Sequence, residues 1–241
     1  MRFKSRSRPA WLAASWVIVA AASEPIGHAA RLAQAGVDAT FVPARRLSGS
    51  LPSTPSANVV GRIEETLEVG VDAAGRVARV TPLRGSPLPR DPIAPAATTW
   101  RFMPASERGR AVPSRVLVAA IIRPPQLDDS PTIGDPPVEL APPSDEIPFP
   151  IITGSPRYPP LAIGDGVVLV EVLVGADGRG REIRVIEGAP AFGQAALETA
   201  RQWSFRPARW NGAAVQAYAY LVFGFRQPVV GGRRSGPPAN R

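Results

Sequence analysis

The chain repeats itself at a shift of 103 residues, and this duplication restricts its fold to one small unit used twice. The clearest match is a Trp-x-Phe-x-Pro-Ala motif, which occurs at residues 100–105 and again at 203–208. A glycine follows each motif, and upstream of the motifs Gly75 aligns with Gly178. Because tryptophan, phenylalanine, proline, alanine and glycine all agree within one short window, we infer that the two segments are copies.

The second copy predicts the order strand, turn, strand, helix and strand. Valines at alternate positions from Val168 to Val174 line one face of the first strand. Asp177-Gly178 is typical of a hairpin turn, because glycine adopts a positive φ without steric penalty. A helical stripe follows, and residues 215–225 are typical of a long final strand. The stripe consists of Phe192, Ala196, Ala200 and Trp203.

The first copy predicts the same order with a shorter helix. Apolar residues between Ile63 and Val71 alternate as they do in the second copy. Prolines crowd the region of the helix, but Pro92 is tolerated as a first helical residue with Asp91 as its cap. We therefore expect a helix from about 92 to 101 that ends in Trp100. The tryptophan and phenylalanine of both motifs are expected in the core.

Composition divides the chain into further segments. Residues 23–57 predict an irregular N-terminal segment, residues 58–123 the first repeat and residues 157–228 the second. Between the repeats, residues 124–156 contain ten prolines, six acidic residues and no basic residue. This composition favours extended polyproline II and predicts a linker. Residues 229–241, rich in glycine, proline and arginine, predict a disordered tail.

Residues 1–22 are typical of a signal peptide. Basic residues precede an apolar run from Ala10 to Ala22, and small residues offer a cleavage site before Ser23. The run is shorter than the roughly 20 residues that a membrane-spanning helix needs. Export to the periplasm is the preferred interpretation. The alternative is a short uncleaved anchor that associates with the inner membrane.

The composition also excludes several classes of function. The chain has no cysteine and one histidine, His28, which lies outside both repeats. Cysteine nucleophiles, thiolate metal sites and a histidine-based triad within the repeats are therefore excluded. Most of the formal charge of +8 lies at the termini instead of on one folded segment, so no nucleic-acid binding is expected. No catalytic residue, metal site or cofactor is predicted.

From about Arg157 to Pro228, the second repeat resembles the C-terminal domain of the TonB family of energy transducers. The resemblance rests on a set of short motifs in the order that the family has them. These are Tyr158-Pro159, Asp177-Gly178, Ala195-Ala196 on the helix, the motif at 203–208, Asn211-Gly212 and the final Val-Phe-Gly-Phe at 222–225. The first repeat lacks the Tyr-Pro opening and resembles a degenerate relative.

The resemblance implies an α+β fold of two TonB C-terminal-like units joined by a Pro-rich linker, each a three-stranded antiparallel sheet packed by one or two helices. It also implies a non-enzymatic module that binds N-terminal peptides of outer-membrane receptors, or other envelope proteins, by strand addition. The final strand would be the open edge, and the opening segment would contact the receptor. The implied binding residues are Arg157, Tyr158, Pro159, Ala217, Ala219, Leu221, Phe223 and Phe225.

Two functions stay open at this stage. The first is a binding module in TonB-dependent transport. The second is a structural or assembly protein of the cell envelope that uses paired TonB-like domains without energy transduction. Family transducers carry their linker between an anchor and one domain, whereas here it lies between two units, which favours a periplasmic relative without a motor. A hydrolase has no supporting group of residues.

Overall fold

The computed structural model describes residues 41–53, 62–85, 93–123 and 137–228. The predicted signal peptide, the helix cap at Asp91 and Pro92, residues 124–136 and the tail at 229–241 lie outside the described residues. The strands of the N-terminal segment and first repeat are β1 (Phe41–Val42), β2 (Arg45–Ser48), β3 (Ile63–Val71), β4 (Val77–Gly85), β5 (Arg101–Met103), β6 (Ala105–Glu107), β7 (Arg110–Val112) and β8 (Ser114–Ile122). The later strands are β9 (Val138–Glu139), β10 (Phe149–Ile152), β11 (Gly166–Val174), β12 (Gly180–Gly188), β13 (Ser204–Arg206), β14 (Ala208–Trp210), β15 (Ala213–Val215) and β16 (Ala217–Phe225).

The bounds of equivalent strands recur at the shift found in the sequence. β3, β4 and β8 coincide with β11, β12 and β16 when 103 is added to their numbers. The helices differ in length, since α1 spans Ile93–Thr98 and α2 spans Pro190–Ala200. The prediction that the first helix ends in Trp100 is wrong. It ends at Thr98, because the N–H groups of Thr99 and Trp100 bond the carbonyls three residues back and tighten the last turn.

The shared sequence motif forms the same backbone contact in both repeats. The N–H of Phe102 donates to the carbonyl of Gly75 at 2.8 Å, and the N–H of Phe205 donates to Gly178 at 2.9 Å. Gly75 and Gly178 have φ values of 77° and 78°, a region that favours glycine. The hairpin glycine and the Trp-x-Phe-x-Pro motif are therefore parts of one interaction, which explains why they recur together.

The two repeats share one seven-stranded sheet, in the order β12-β11-β16-β8-β3-β4-β9. Within each repeat the three long strands are antiparallel, as expected. The linker is not the only connection between the two units, because β8 and β16 pair in parallel over residues 117–122 and 219–224. Backbone hydrogen bonds therefore run continuously from one repeat to the other.

Each face of this sheet is buried in a core that contains residues of both repeats. One core holds Trp100 and α1 of the first repeat together with Tyr220 of the second. The other holds Trp203 and α2 of the second repeat together with Leu117 of the first. Successive residues of a strand point to opposite faces, so the two helices cover opposite faces of the sheet.

The segment before the first repeat is ordered from residue 41 onward. β1 pairs with β6, and β2 pairs with β5. The prediction of an irregular segment at 23–57 is therefore wrong for residues 41–48. Arg46 explains part of this order, because its guanidinium lies 4.7 Å from the centre of the Trp100 ring and its backbone N–H donates to the Tyr220 hydroxyl at 2.6 Å.

Residues 137–156 pack against both repeats, so the interpretation of this half of the linker as a spacer is wrong. β9 pairs with β4, β10 pairs with β13, and Ile147 is fully buried in the core around Trp203. Two acidic residues of the segment form ion pairs with arginines of the repeats, which an isolated polyproline II spacer would not do. Glu139 pairs with Arg84 at 2.7 Å, and Asp145 pairs with Arg206 at 3.4 Å.

The repeat extends upstream of the segments that align in sequence. The indole N–H of Trp100 donates to the carbonyl of Ser50 at 2.8 Å, and that of Trp203 donates to Gly154 at 3.2 Å. These acceptors are 104 residues apart, so the two segments are equivalent with a one-residue insertion. Each repeat therefore begins with a strand that is tied to its own tryptophan.

Candidate strand-addition site

The expected binding strand, β16, has a neighbour on each side. It pairs with β11 along its whole length and with β8 from Ala219 to Gly224. The expectation that this strand forms an open edge is therefore wrong. The five residues assigned to it are between 0% and 6% exposed, which leaves them no surface for a partner: Ala217, Ala219, Leu221, Phe223 and Phe225.

The sequence of β16 contains a pattern that predicts burial on both faces of the strand. Apolar residues occupy both faces of the strand, and all but Tyr218 are buried. β8 has the same pattern, with a buried run from Val116 to Ile122. A strand with one wet face alternates polar and apolar residues, whereas a run of apolar residues indicates burial on both faces. The apolar runs therefore predict that both strands are covered on both faces, but they do not identify the strand that pairs with each.

The predicted opening segment lies on the surface beside α2. The Tyr158 hydroxyl donates to the carbonyl of Gly164 at 2.7 Å, and its ring meets the edge of Phe192 with ring centres 5.5 Å apart. Burial raises the pKa of the Tyr158 hydroxyl, and the nearby Asp165 adds to the shift. Tyr158 thus anchors a local turn, and the carbonyl of Pro159 accepts the N–H of Ala162 in the same turn.

Phe192 connects the two parts of the predicted site. Its ring stacks on Phe225 with centres 4.6 Å apart, and it also meets the Tyr158 ring edge to face. Gly166 makes room for it, because a Cβ at that position would lie 2.5 Å from the Phe192 ring. The structure therefore brings Tyr158 close to the end of β16 through a shared aromatic neighbour, while Arg157 is exposed.

The two outermost long strands of the sheet, β4 and β12, are equivalent in the repeat, and β4 is protected. β9 covers its end by pairing with Arg84 and Gly85. Pro82 lies in the same strand, and proline lacks the N–H that an added strand would need. β4 therefore combines two devices that close a sheet edge.

The outer side of β12 carries neither device. No other strand among residues 41–53, 62–85, 93–123 and 137–228 pairs with it beyond β11. The residue equivalent to Pro82 is Val185, which is 36% exposed and keeps its N–H. Charged side chains on an edge strand limit uncontrolled pairing, and β12 has four of them. They are Arg181, Glu182, Arg184 and Glu187.

A buried carboxylate holds β12 in place. Glu171 on β11 is 3% exposed and accepts a hydrogen bond from the Arg184 Nε on β12 at 2.8 Å. Arg45 of the N-terminal segment lies 3.3 Å from the same carboxylate, and Tyr220 donates to it at 3.3 Å. Burial raises the pKa of the Glu171 carboxyl above its usual value, against the opposing effect of Arg45. This network fixes the edge strand before any partner arrives.

The equivalent carboxylate of the first repeat belongs to Glu68. It accepts hydrogen bonds from the backbone N–H of Ser144 at 3.0 Å and from Arg115. Burial raises the pKa of Glu68, but these hydrogen bonds outweigh burial and leave the pKa below its usual value. In each repeat, a segment from outside the three-stranded unit therefore supplies partners to the buried carboxylate.

No cluster of acidic, histidine or cysteine side chains suited to a metal ion occurs in the part of the chain that the structure describes. Within the same residues, no helix has the length and apolar character needed to cross a membrane.

Comparison with known proteins bears on the second repeat. A search of curated proteins finds no match to the chain. Residues 155–226 match the family described as the Gram-negative bacterial TonB protein C-terminal. That family is a non-enzymatic energy-transduction and binding domain of the periplasm, and its members interact with outer-membrane receptors. The match therefore supports a TonB C-terminal domain at residues 155–226, with the α+β character that the sequence predicts.

Proposed function

We propose that this chain is a periplasmic binding module that takes up an extended segment of an outer-membrane receptor, or of another envelope protein, as an additional strand on β12. Strand addition needs an edge with free backbone donors and acceptors. β16 has no such edge, because β8 occupies it. The contrast between protected β4 and exposed β12 is the observation that carries the proposal.

The upstream repeat is part of this proposal as a second, degenerate TonB-like copy. Its hairpin, its Trp-x-Phe-x-Pro corner and its strand bounds all recur at the same shift in the second copy. Its role is to close the β16 edge with β8 and so to leave β12 as the free edge of the second copy. Arg157, Tyr158 and Pro159 remain candidate contacts for the partner, since they lie beside α2 next to the same unit.

The location is also proposed. The N-terminal residues 1–22 are typical of an export signal, and the matched family is periplasmic. Retention of that segment would instead attach the protein to the inner membrane. Energy transduction through a membrane motor is not part of the proposal, because the chain departs from the domain order of family transducers.

Proline substitution in β12 tests the proposal. Alternate N–H groups of a strand point to opposite sides, so one of Glu182→Pro and Ile183→Pro removes an outward donor and the other an inward one, while the pair of Arg184 with Glu171 is kept. The outward variant should keep its melting temperature within a few degrees and bind receptor N-terminal peptides at least about tenfold more weakly. Fluorescence anisotropy measures the binding, and a thermal melt separates the two variants.

Equivalent substitutions in the protected edge provide the control. Arg79→Pro and Val80→Pro occupy the same positions of β4 and should leave peptide binding unchanged in whichever variant stays folded. Full binding by a folded variant that lacks the outward N–H of β12 would contradict the proposal.

A structural or assembly role in the cell envelope is the second candidate. The pairing of β8 with β16 favours it, because this contact uses the family's expected binding edge to join two domains inside one chain. This function predicts that envelope proteins co-purify with the mature chain although no receptor peptide binds to β12.

A further inference from the structure

The charged side chains of β12 differ in whether they already have partners. Arg181 pairs with Asp177 at 2.8 Å, and Glu187 pairs with Arg46 at 2.8 Å. Arg184 is bound to Glu171, as described above. Glu182 is exposed and has no hydrogen bond or ion pair with any described residue. One carboxylate on the open edge is therefore available to a partner.

A strand added beside β12 would place one of its side chains directly opposite Glu182. Directly opposed residues on neighbouring strands have Cβ atoms about 4.5–5.5 Å apart, within reach of an ion pair. A lysine or arginine at that position would stabilise the added strand, and an acidic residue would destabilise it. The outer edge of β12 therefore discriminates by charge at one position.

Two apolar residues, Ile183 and Val185, occupy the middle of the other face of β12. Ile183 packs against the core around Trp203, and Val185 lies under α2, where a Cβ on Gly193 would be 3.8 Å from its side chain. Because alternate residues point to opposite faces, Ile183 and Val185 lie on the face that Glu182 does not. Side chains of an added strand on this face would meet apolar surface.

We propose that the partner of β12 is an extended segment that alternates apolar residues with polar ones and carries lysine or arginine opposite Glu182. This inference rests on the proposed function and specifies the chemistry of its partner. The chain contains a precedent for such pairing. β9 adds to the equivalent strand β4, and its Glu139 lies directly opposite Arg84 in an ion pair of 2.7 Å. An opposite charge therefore already accompanies an added strand on the related edge.

The first repeat supplies a matched position of opposite charge. Arg79 of β4 is equivalent to Glu182, is exposed, and likewise has no hydrogen bond or ion pair with a described residue. The two edges therefore differ in the sign of the free charge. A substitution at Arg79 changes the net charge of the protein without changing β12.

Two synthetic peptides test the inference on the full mature chain. Both alternate valine with threonine, and one central residue is lysine in the first and glutamate in the second. The unsubstituted protein should bind the lysine peptide about fivefold more tightly than the glutamate peptide. Glu182→Lys should reverse the preference, and Arg79→Glu should retain it. The same preference in Glu182→Lys as in the unsubstituted protein would overturn the inference.

Further outcomes separate this inference from the function on which it rests. If both peptides bind through β12 with equal affinity, strand addition stands and the charge preference is overturned. If neither peptide binds, or if the proline variants of β12 bind both, the proposed function itself fails. Self-association that the outward proline variant of β12 abolishes would show that this edge receives a second copy of the chain, which also overturns the inference.

Discussion

Replacement of Gly178 by alanine should lower the free energy of unfolding by about 2–4 kcal/mol. Gly178 has a φ of 78°, which alone disfavours alanine. A Cβ at this position would also lie 2.0 Å from the carbonyl oxygen of Phe205, so the backbone of the motif must move. Movement breaks the hydrogen bond between Phe205 and Gly178 and disturbs the packing of Trp203. Urea denaturation followed by circular dichroism measures the loss.

Two other glycines make this prediction specific. Gly75→Ala should cost about as much as Gly178→Ala, because its Cβ would lie 1.9 Å from the carbonyl oxygen of Phe102. Gly212 also has a positive φ, of 82°, but no atom lies within 4 Å of its Cβ position. Gly212→Ala should therefore cost only the backbone term, about 1–2 kcal/mol. Equal decreases in the free energy of unfolding for Gly178→Ala and Gly212→Ala would contradict a stabilising role for the contact between Gly178 and Phe205.

Trp100→Ala should destabilise the whole protein by about 3–5 kcal/mol, although the residue belongs to the first repeat. Trp100 is fully buried and meets Tyr220 of the second repeat with ring centres 5.7 Å apart. Its removal also leaves Arg46 without its stacking partner and the carbonyl of Ser50 without its donor. Since both cores contain residues of both repeats, we expect one cooperative unfolding transition at a lower urea concentration.

Trp203→Ala is the matched control for this expectation. It makes the equivalent change in the second repeat and should shift the same single transition. Two separate transitions, with Trp100→Ala moving one and Trp203→Ala the other, would show that the repeats unfold independently. That outcome would contradict the shared sheet.

Local chemistry made much of each repeat predictable. Asp177-Gly178 forms a hairpin turn, and Phe192, Ala196 and Ala200 are buried on one side of α2, because turn residues and helical spacing act over a few positions. The sequence predicts too long a first helix, because the spacing of apolar residues does not show at which residue the α-helical hydrogen bonds end.

Contacts between segments that are distant in the sequence are harder to predict from it. The parallel pairing of β8 with β16 joins residues about 100 positions apart, so no local turn motif in the sequence predicts it. Proline content favoured a spacer at 137–156, but the burial of Ile147 and the pairing of Glu139 with Arg84 override that local preference. The candidate edge was misplaced for the same reason, because β16 is an edge only if its own repeat is considered alone.

A cysteine cross-link tests the assignment of the binding edge most directly. The chain has no cysteine, so Val185→Cys introduces a unique thiol on β12, and Arg79→Cys introduces one at an exposed position of β4 that leaves Pro82 in place. Receptor N-terminal peptides with a cysteine at each position in turn are added under oxidising conditions, since opposed residues of paired strands approach the Cβ separation of a disulfide. We predict a disulfide with Val185→Cys at one peptide position and none with Arg79→Cys. Peptide binding without any cross-link to Val185→Cys, or equal cross-linking at both edges, would contradict strand addition at β12.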